Sequence, residues 1–165
     1  MTATWSTTAT PVGPFSAVLD DDGAVLAAGW TAELDLLLPQ VHPTLRPAVV
    51  REVADLGAVS HAVRVYHAGE HHAIDDVEVR QLSGEFLVHA WQVLRTVPPG
   101  GPVTYTGYAA LAGRPTAVRA AASACARNAA ALFVPCHRVL RSDGGLGGFR
   151  WGTDVKRWLL AHEEG

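Results

Sequence analysis

The chain has 165 residues, 48% of them hydrophobic, which is enough to bury a core as one domain or two small ones. Its two cysteines are too few for a disulfide framework or a four-cysteine zinc site, no apolar run is long enough to cross a bilayer, and no signal peptide is visible at the start. The net charge of −3 divides unevenly, because residues 1–85 carry −8 and residues 86–165 carry +5. This asymmetry indicates either that the second half binds a polyanion or that surface charge is segregated by chance.

The first half is predicted to contain strands at residues 7–10, 15–19 and 24–30, with a hairpin turn at Asp20-Asp21-Asp22-Gly23. Three prolines make residues 39–47 a loop, apolar residues at helical spacing predict one or two helices over 48–68, and alternation predicts a strand over 74–79. The spacing of His67 and His71 suggests a metal site, but no acidic or cysteine partner pattern accompanies them. We therefore predict no metal.

The second half is predicted to be helical over residues 86–97, where a proline- and glycine-rich stretch ends the helix. Two short helices, 106–112 and 116–127, follow on either side of Gly113-Arg114-Pro115 and have the spacing of a helix-turn-helix. The second is rich in small side chains, and one of its faces combines Arg119 with Ala122, Ser123 and Ala126. Such a face allows close approach to another helix or to a DNA groove.

An apolar, strand-like run over residues 132–135 ends in Cys136-His137-Arg138-Val139. A thiol attacks as the thiolate, and a free cysteine has a pKa of about 8.5. His137 and nearby arginines are expected to lower that pKa, and His137 to accept the proton. Local chemistry alone leaves open the alternative that Cys136 is a small, inert core residue.

The segment Pro135-Cys136-His137-Arg138-Val139 resembles the active-site signature of the O6-alkylguanine-DNA alkyltransferases, also called methylated-DNA–protein-cysteine methyltransferases. The resemblance covers residues 84–164 almost without a gap and extends more loosely to residues 10–14 and 66–70. Further positions that match the family's spacing are Tyr105, Ala112-Gly113-Arg114-Pro115, Arg119, Asn128, the loop 147–152 and the closing helix 156–163.

The resemblance implies an α/β chain of two domains. Residues 1–80 would form a small ribonuclease-H-like domain with an antiparallel sheet, and residues 84–165 a mostly helical domain with a winged helix-turn-helix core. The resemblance also implies a stand-alone, monomeric repair protein without the additional domains of the adaptive-response fusion proteins. Such a protein would need no cofactor and would not associate with membranes. It would be cytoplasmic and, in a bacterium, associated with the nucleoid.

The implied function is DNA repair by irreversible, single-turnover transfer of the alkyl group from O6-alkylguanine, and also from O4-alkylthymine, in double-stranded DNA to Cys136. The base would be flipped out by a protein bound in the minor groove. The resemblance implies that His137 takes the thiol proton through a water, that Glu163 orients His137, that Tyr105 donates a hydrogen bond to the base, and that Asn128 braces the cysteine loop. The resemblance also implies that Arg119 fills the gap left by the base. The implied DNA-binding residues are Arg119, Ala120, Ala122, Ser123, Arg127 and Arg138. The implied base pocket consists of Cys125, Val139, Gly147, Phe149, Arg150 and Trp151.

Phe149 departs from the family's usual tyrosine, which keeps stacking on the base but loses a hydroxyl. Arg150 and Trp151 are expected to narrow the pocket in favour of methyl groups. Three alternatives remain at this point: a non-catalytic sensor of alkylated DNA, a transcription regulator and a cysteine hydrolase. Cys136 argues against the sensor, and the small residues from Ala120 to Ala124 argue against major-groove base reading by a regulator.

Overall fold

The computed structural model describes residues 1–165, which divide into two compact units. The first unit contains Met1–Leu82 and Ala129–Phe133, and the second contains Ser83–Asn128 and Val134–Gly165. This division differs from the predicted boundaries, since residues 129–133 belong to the first unit. They do so because the Ala129 carbonyl accepts a hydrogen bond from the Ala28 amide at 2.8 Å. No helix combines the length and apolar character that crossing a membrane requires.

The first unit is built on a four-stranded sheet in the order β3-β2-β1-β4. Strand β1 pairs antiparallel with β2, β2 pairs antiparallel with β3, and β4 lies parallel to β1. The Asp20 carboxylate forms the predicted hairpin turn by accepting hydrogen bonds from the Asp22 and Ala24 amides, both at 2.9 Å. The four strands are β1 (Thr2–Thr10), β2 (Gly13–Leu19), β3 (Val25–Gly29) and β4 (Val49–Glu52).

The sheet is mixed and not antiparallel throughout as predicted, because β4 lies parallel to β1. Two predictions of single elements in the first unit were also wrong in part. The helix expected over 48–68 exists only as α1 (Ala58–His67), because residues 49–52 pair with the free edge of β1 as strand β4. The strand expected over 74–79 is a series of turns in which only Val79 bridges to Val25. For residues 49–52 a pairing distant in sequence overrides the local periodicity. Residues 74–77 instead form local turns, with hydrogen bonds such as Val77 N to Ile74 O at 3.3 Å.

The core of the first unit contains a cluster of aromatic rings around Phe15. The Phe15 ring lies 5.0 Å from the centroid of Trp30 and 6.0 Å from that of Phe133, both edge-on. His67 joins this cluster: Nε2 accepts a hydrogen bond from the Trp30 indole at 3.3 Å, so Nδ1 donates to the Val63 carbonyl at 2.6 Å. With both ring nitrogens occupied, His67 is a core residue and has no lone pair to offer a metal.

The second unit consists of four helices and one pair of two-residue strands. The parallel pairing of Val103 with Val139, and of Thr104 with Leu140, places the start of one helix beside the segment that carries Cys136. The elements are α2 (Glu85–Leu94), β5 (Val103–Thr104), α3 (Tyr105–Leu111), α4 (Val118–Ala126), a 3-10 turn (Cys136–Arg138), β6 (Val139–Leu140) and α5 (Thr153–Glu164).

Helices α3 and α4 are the two short helices predicted on either side of Gly113, and their assignment as a helix-turn-helix stays a prediction. The Thr104 hydroxyl caps α3 by accepting a hydrogen bond from the Gly107 amide at 3.0 Å, and Gly113 at φ +87° makes the turn that ends it. Ala121 and Ala124 are fully buried, which lets α4 approach α2 closely enough for the Trp91 indole of α2 to donate to the Ala124 carbonyl at 2.8 Å. Small residues on this face of α4 therefore serve helix packing, and the wing stays a prediction.

Candidate active site

Cys136 lies at the start of the 3-10 turn and is 8% exposed. The Asn128 side chain, just beyond α4, donates to the Val134 carbonyl at 2.8 Å and so holds the segment that leads into the turn. Leu132, in the same segment, has φ +76°, a conformation that is costly for a branched side chain. Strain of this kind persists only where the surroundings fix the backbone, and it is common at functional sites.

Next to Cys136, the imidazole of His137 is completely buried and bound to the carboxylate of Glu163. His137 Nε2 lies 2.8 Å from Glu163 Oε2. Arg138 donates two further hydrogen bonds to the same carboxylate, from Nε and Nη2, both at 2.9 Å, and a third to the Val97 carbonyl at 2.8 Å. The turn and the last residues of α5 are thus joined by one buried network.

This network determines which nitrogen of His137 carries the unpaired lone pair. Burial alone would raise the pKa of Glu163, but the hydrogen bonds and charges of His137 and Arg138 outweigh burial and hold it well below its ordinary 4.5. Burial lowers the pKa of His137 from its ordinary 6.5, against the opposing effect of Glu163. Because an ionised carboxylate only accepts hydrogen bonds, neutral His137 carries its proton on Nε2. Nδ1 therefore presents a buried lone pair, and it has no hydrogen-bond partner in the protein.

The expectation that neighbouring cations lower the pKa of Cys136 was wrong in its net direction. Burial raises the pKa of the thiol above its ordinary 9.0, and the hydrogen bond from Asn128 and the charges of Lys156 and Arg150 only partly oppose that effect. Arg138 does not contribute as expected, since its charge is directed at Glu163. The thiol thus needs a base that removes its proton.

Lys156 is a site residue that the sequence did not reveal as one. It lies on α5, is completely buried, and donates from Nζ to the Val139 carbonyl at 2.8 Å. The positive charge of Lys156 favours a lower pKa of Cys136, although burial also lowers the pKa of Lys156 itself from its ordinary 10.5. The available signal was its spacing, because Lys156, Leu159 and Glu163 stand three and four residues apart on the buried face of one helix.

Tyr105 and the loop 147–152 lie together. An ideal Cβ placed on Gly147, whose φ is +73°, would come within 3.2 Å of the Tyr105 hydroxyl, so only glycine allows this contact without displacement. Burial and the charges of Cys125 and Cys136 raise the pKa of Tyr105 to about 12, which keeps the phenol protonated. Burial likewise raises the pKa of Cys125 above its ordinary 9.0. Tyr105, Gly147 and both cysteines thus share one region of the second unit.

The other predicted pocket residues differ in exposure. Phe149 and Trp151 are half-buried, and Val139 is completely buried. Arg150 is exposed, and its Nη2 donates to the Ala126 carbonyl at 2.7 Å. Whether these residues line a base pocket stays a prediction.

The residues predicted to bind DNA fall into two groups. Arg119 and Arg127 are exposed, and the intervening Ala120, Ala122 and Ser123 are partly exposed, so all five are accessible on α4 or at its end. Arg138 is different: its side chain is 2% exposed and bound to Glu163. Its assignment to the DNA-binding surface was wrong, because a side chain held inside by a buried carboxylate cannot reach a phosphate.

This chain is similar to known proteins in both sequence and fold. Residues 85–165 match the model of the 6-O-methylguanine DNA methyltransferase DNA-binding domain. The bifunctional transcriptional activator/DNA repair enzyme Ada of Escherichia coli is 53% identical over 78 residues, but these are 47% of this chain and 22% of Ada. The solved structure of Mycobacterium tuberculosis OGT in complex with DNA aligns with a TM-score of 0.79 at 26% identity, covering 98% of this chain and 92% of that one.

The family of this chain is identified by a relative that it matches over nearly the whole length of both proteins. The methylated-DNA–protein-cysteine methyltransferase of Salmonella typhimurium is 34% identical over 157 residues, which are 94% of this chain and 92% of that protein. The match extends through both units, and it confirms the resemblance first seen in the motif around Cys136. The chain therefore belongs to the methylated-DNA–protein-cysteine methyltransferase family.

Proposed function

We propose that this protein repairs O6-alkylguanine in double-stranded DNA by transferring the alkyl group to the sulfur of Cys136, once per molecule. The observation that carries the proposal is the buried lone pair at Nδ1 of His137, beside Cys136 in one turn, with Nε2 fixed by the ionised Glu163. A nucleophile, a base and a residue that orients the base are the three parts that thiol activation needs. The family to which the chain belongs supports the same chemistry.

The reaction proceeds by one displacement. The thiol proton of Cys136 passes through a water molecule to Nδ1 of His137, and the resulting imidazolium is stabilised by Glu163. The sulfur then attacks the alkyl carbon, a carbon–sulfur bond forms, and the bond from that carbon to O6 breaks with its electrons leaving on the guanine. Tyr105, protonated at neutral pH because of its raised pKa, donates a hydrogen bond to the departing base. The thioether product has no easy route to hydrolysis, so each molecule reacts once.

DNA binding is assigned to helix α4. The basic charge of residues 86–165, the exposed Arg119 and Arg127, and the small accessible residues between them support contact in the minor groove, where close approach of the backbone matters. The target base is flipped out of the stack, because its O6 substituent is otherwise out of reach of the sulfur, and Arg119 occupies the space it leaves. Asn128 braces the cysteine segment, and O4-alkylthymine is accepted by the same chemistry. We assign the protein to the cytoplasm, acting as a monomer without cofactor or metal.

The test is the intact mass of the protein after incubation with a duplex that contains one O6-methylguanine. The wild type should gain the mass of one methylene group, mapped to Cys136 by peptide sequencing, and Cys136→Ser should gain none. Cys125→Ser is the matched control for the identity of the acceptor, since it removes the other thiol, and its product should still carry the methylene on Cys136. A methyl group that maps to Cys125, or damage-selective binding without any gain of mass, would refute the proposal.

A further inference from the structure

The loop 147–152, here called the pocket loop, has little in its own sequence to hold it in place. Residues 141–152 contain five glycines, and both Gly147 and Gly152 have positive φ. Such a backbone loses much conformational entropy on ordering, so side-chain contacts must compensate. Among the backbone hydrogen bonds of this stretch, Arg141 N to Gly145 O at 2.9 Å lies before the pocket loop, Gly152 N to Phe149 O at 3.1 Å is local to it, and Lys156 N to Gly152 O at 3.2 Å joins its end to α5.

Arg150 supplies an anchor at the end of α4. Its Nη2 donates to the carbonyl of Ala126, the last residue of that helix, at 2.7 Å. A carbonyl in the last turn has no partner within its own helix, and the C-terminal end of a helix attracts a cation. Arg150 is exposed, so its guanidinium is ordered by this contact and not by burial. An exposed arginine thus satisfies an orphan carbonyl and holds the loop.

Both ends of this contact belong to the reaction site. On one side, the pocket loop brings Gly147 against the Tyr105 ring. On the other side, the residues around Ala126 include Cys125 and Asn128, which braces the cysteine segment. The charge of Arg150 also acts on Cys136, which places the guanidinium within electrostatic range of the nucleophile.

From this arrangement we infer that Arg150 is a positioning residue that clamps the pocket loop to the end of α4 and thereby limits the size of the alkyl group that reaches Cys136. The inference rests on the proposed function and deepens it. Without the clamp, the glycine-rich loop can move away from Tyr105 and admit a bulky substituent. With it, the wall of the pocket is fixed to the helix that we assign to DNA binding.

The test compares single-turnover rates on duplexes that contain O6-methylguanine or O6-benzylguanine. Arg150→Ala should raise the ratio of the benzyl rate to the methyl rate at least about tenfold, the rate equivalent of one lost hydrogen bond to a charged group. Arg150→Lys, which keeps a cation but a shorter reach, should lie between. Arg157→Ala is the matched control, because Arg157 is a nearby exposed arginine that pairs with Asp154 at 3.0 Å, and it should leave the ratio unchanged.

A second measurement separates the clamp from a direct contact with DNA. The probe is the free base O6-benzylguanine, which brings no duplex to the protein, so the rate at which it alkylates Cys136 reports only on the pocket and is expected to rise in Arg150→Ala. An unchanged rate on the free base, or a parallel fall of the methyl and benzyl rates, overturns the inference and assigns Arg150 to DNA contact or to stability. Failure of the wild type to take up methyl at all is a different result, because it overturns the proposed function itself.

Discussion

Replacing Glu163 by glutamine is expected to lower the free energy of unfolding at neutral pH by about 3–5 kcal/mol, the cost of removing one partner from a buried ion pair. The carboxylate accepts three hydrogen bonds, one from His137 at 2.8 Å and two from Arg138 at 2.9 Å. Glutamine has the same shape, but its amide nitrogen donates, so at least one of the three bonds is lost and Arg138 becomes an uncompensated buried charge. Solvent does not screen this loss, because the Glu163 side chain is 1% exposed.

The same ion pair gives the stability a dependence on pH. The folded-state pKa of Glu163 lies below its ordinary 4.5. Its contribution is therefore complete above about pH 4.5 and is lost progressively as the pH falls below that value. The Glu163→Gln variant lacks this titration, so its stability should decline less steeply than that of the wild type over the acidic range.

Urea denaturation at neutral and acidic pH measures both effects. The matched control is Glu164→Gln, which makes the same chemical change at the next residue, where the carboxylate is exposed. If the two variants unfold within about 0.5 kcal/mol of each other at neutral pH, the ordinary range for a surface substitution, the buried network does not contribute as described.

Three further predictions follow from the site and the core. Lys156→Met should shift the reaction of Cys136 with iodoacetamide to higher pH, since it removes a buried cation that lowers the pKa of the thiol, whereas Arg157→Met, an exposed neighbour, should not. Asn128→Ala should cost about 1–3 kcal/mol in urea denaturation, because a buried carbonyl loses its donor; no measurable loss would refute the bracing role. His67→Phe should cost a similar 1–3 kcal/mol or so, while the single-turnover rate per folded molecule stays that of the wild type.

The parts of the fold that were correctly predicted are those specified by local sequence. Gly113, with its positive φ, marks the turn between α3 and α4, and Asp20 forms the turn between β2 and β3 by accepting hydrogen bonds from amides within the turn itself. Residues 49–52 were mispredicted as helix because their conformation depends on β1, which is nearly fifty residues away in the sequence. Local periodicity carries no information about which strand has a free edge.

Local sequence said less about the candidate site. The neighbours Cys136 and His137 left a nucleophile and an inert core residue both open, and the resemblance of the surrounding motif to a known family favoured the nucleophile. The assignment of Arg138 to the DNA surface failed because its partner, Glu163, is 25 residues away, and an arginine looks identical in sequence whether it meets a phosphate or a buried carboxylate. Lys156 was missed for a related reason, since a lysine in an amphipathic helix is ordinarily on the exposed face.

In the proposed mechanism, the buried charges of the site make a thiol with a raised pKa suited to attack. At rest, Glu163 is compensated by Arg138, whereas Lys156 is a buried cation that faces no carboxylate among its hydrogen-bond partners. Moving one proton from Cys136 to His137 creates a thiolate and an imidazolium. The imidazolium then lies against Glu163, and the thiolate lies within the field of Lys156. Each new charge meets an opposite charge that is already in place, so the proton transfer needs no reorganisation of the site. Preorganisation of this kind is the principal means by which a protein stabilises charge that develops during a reaction.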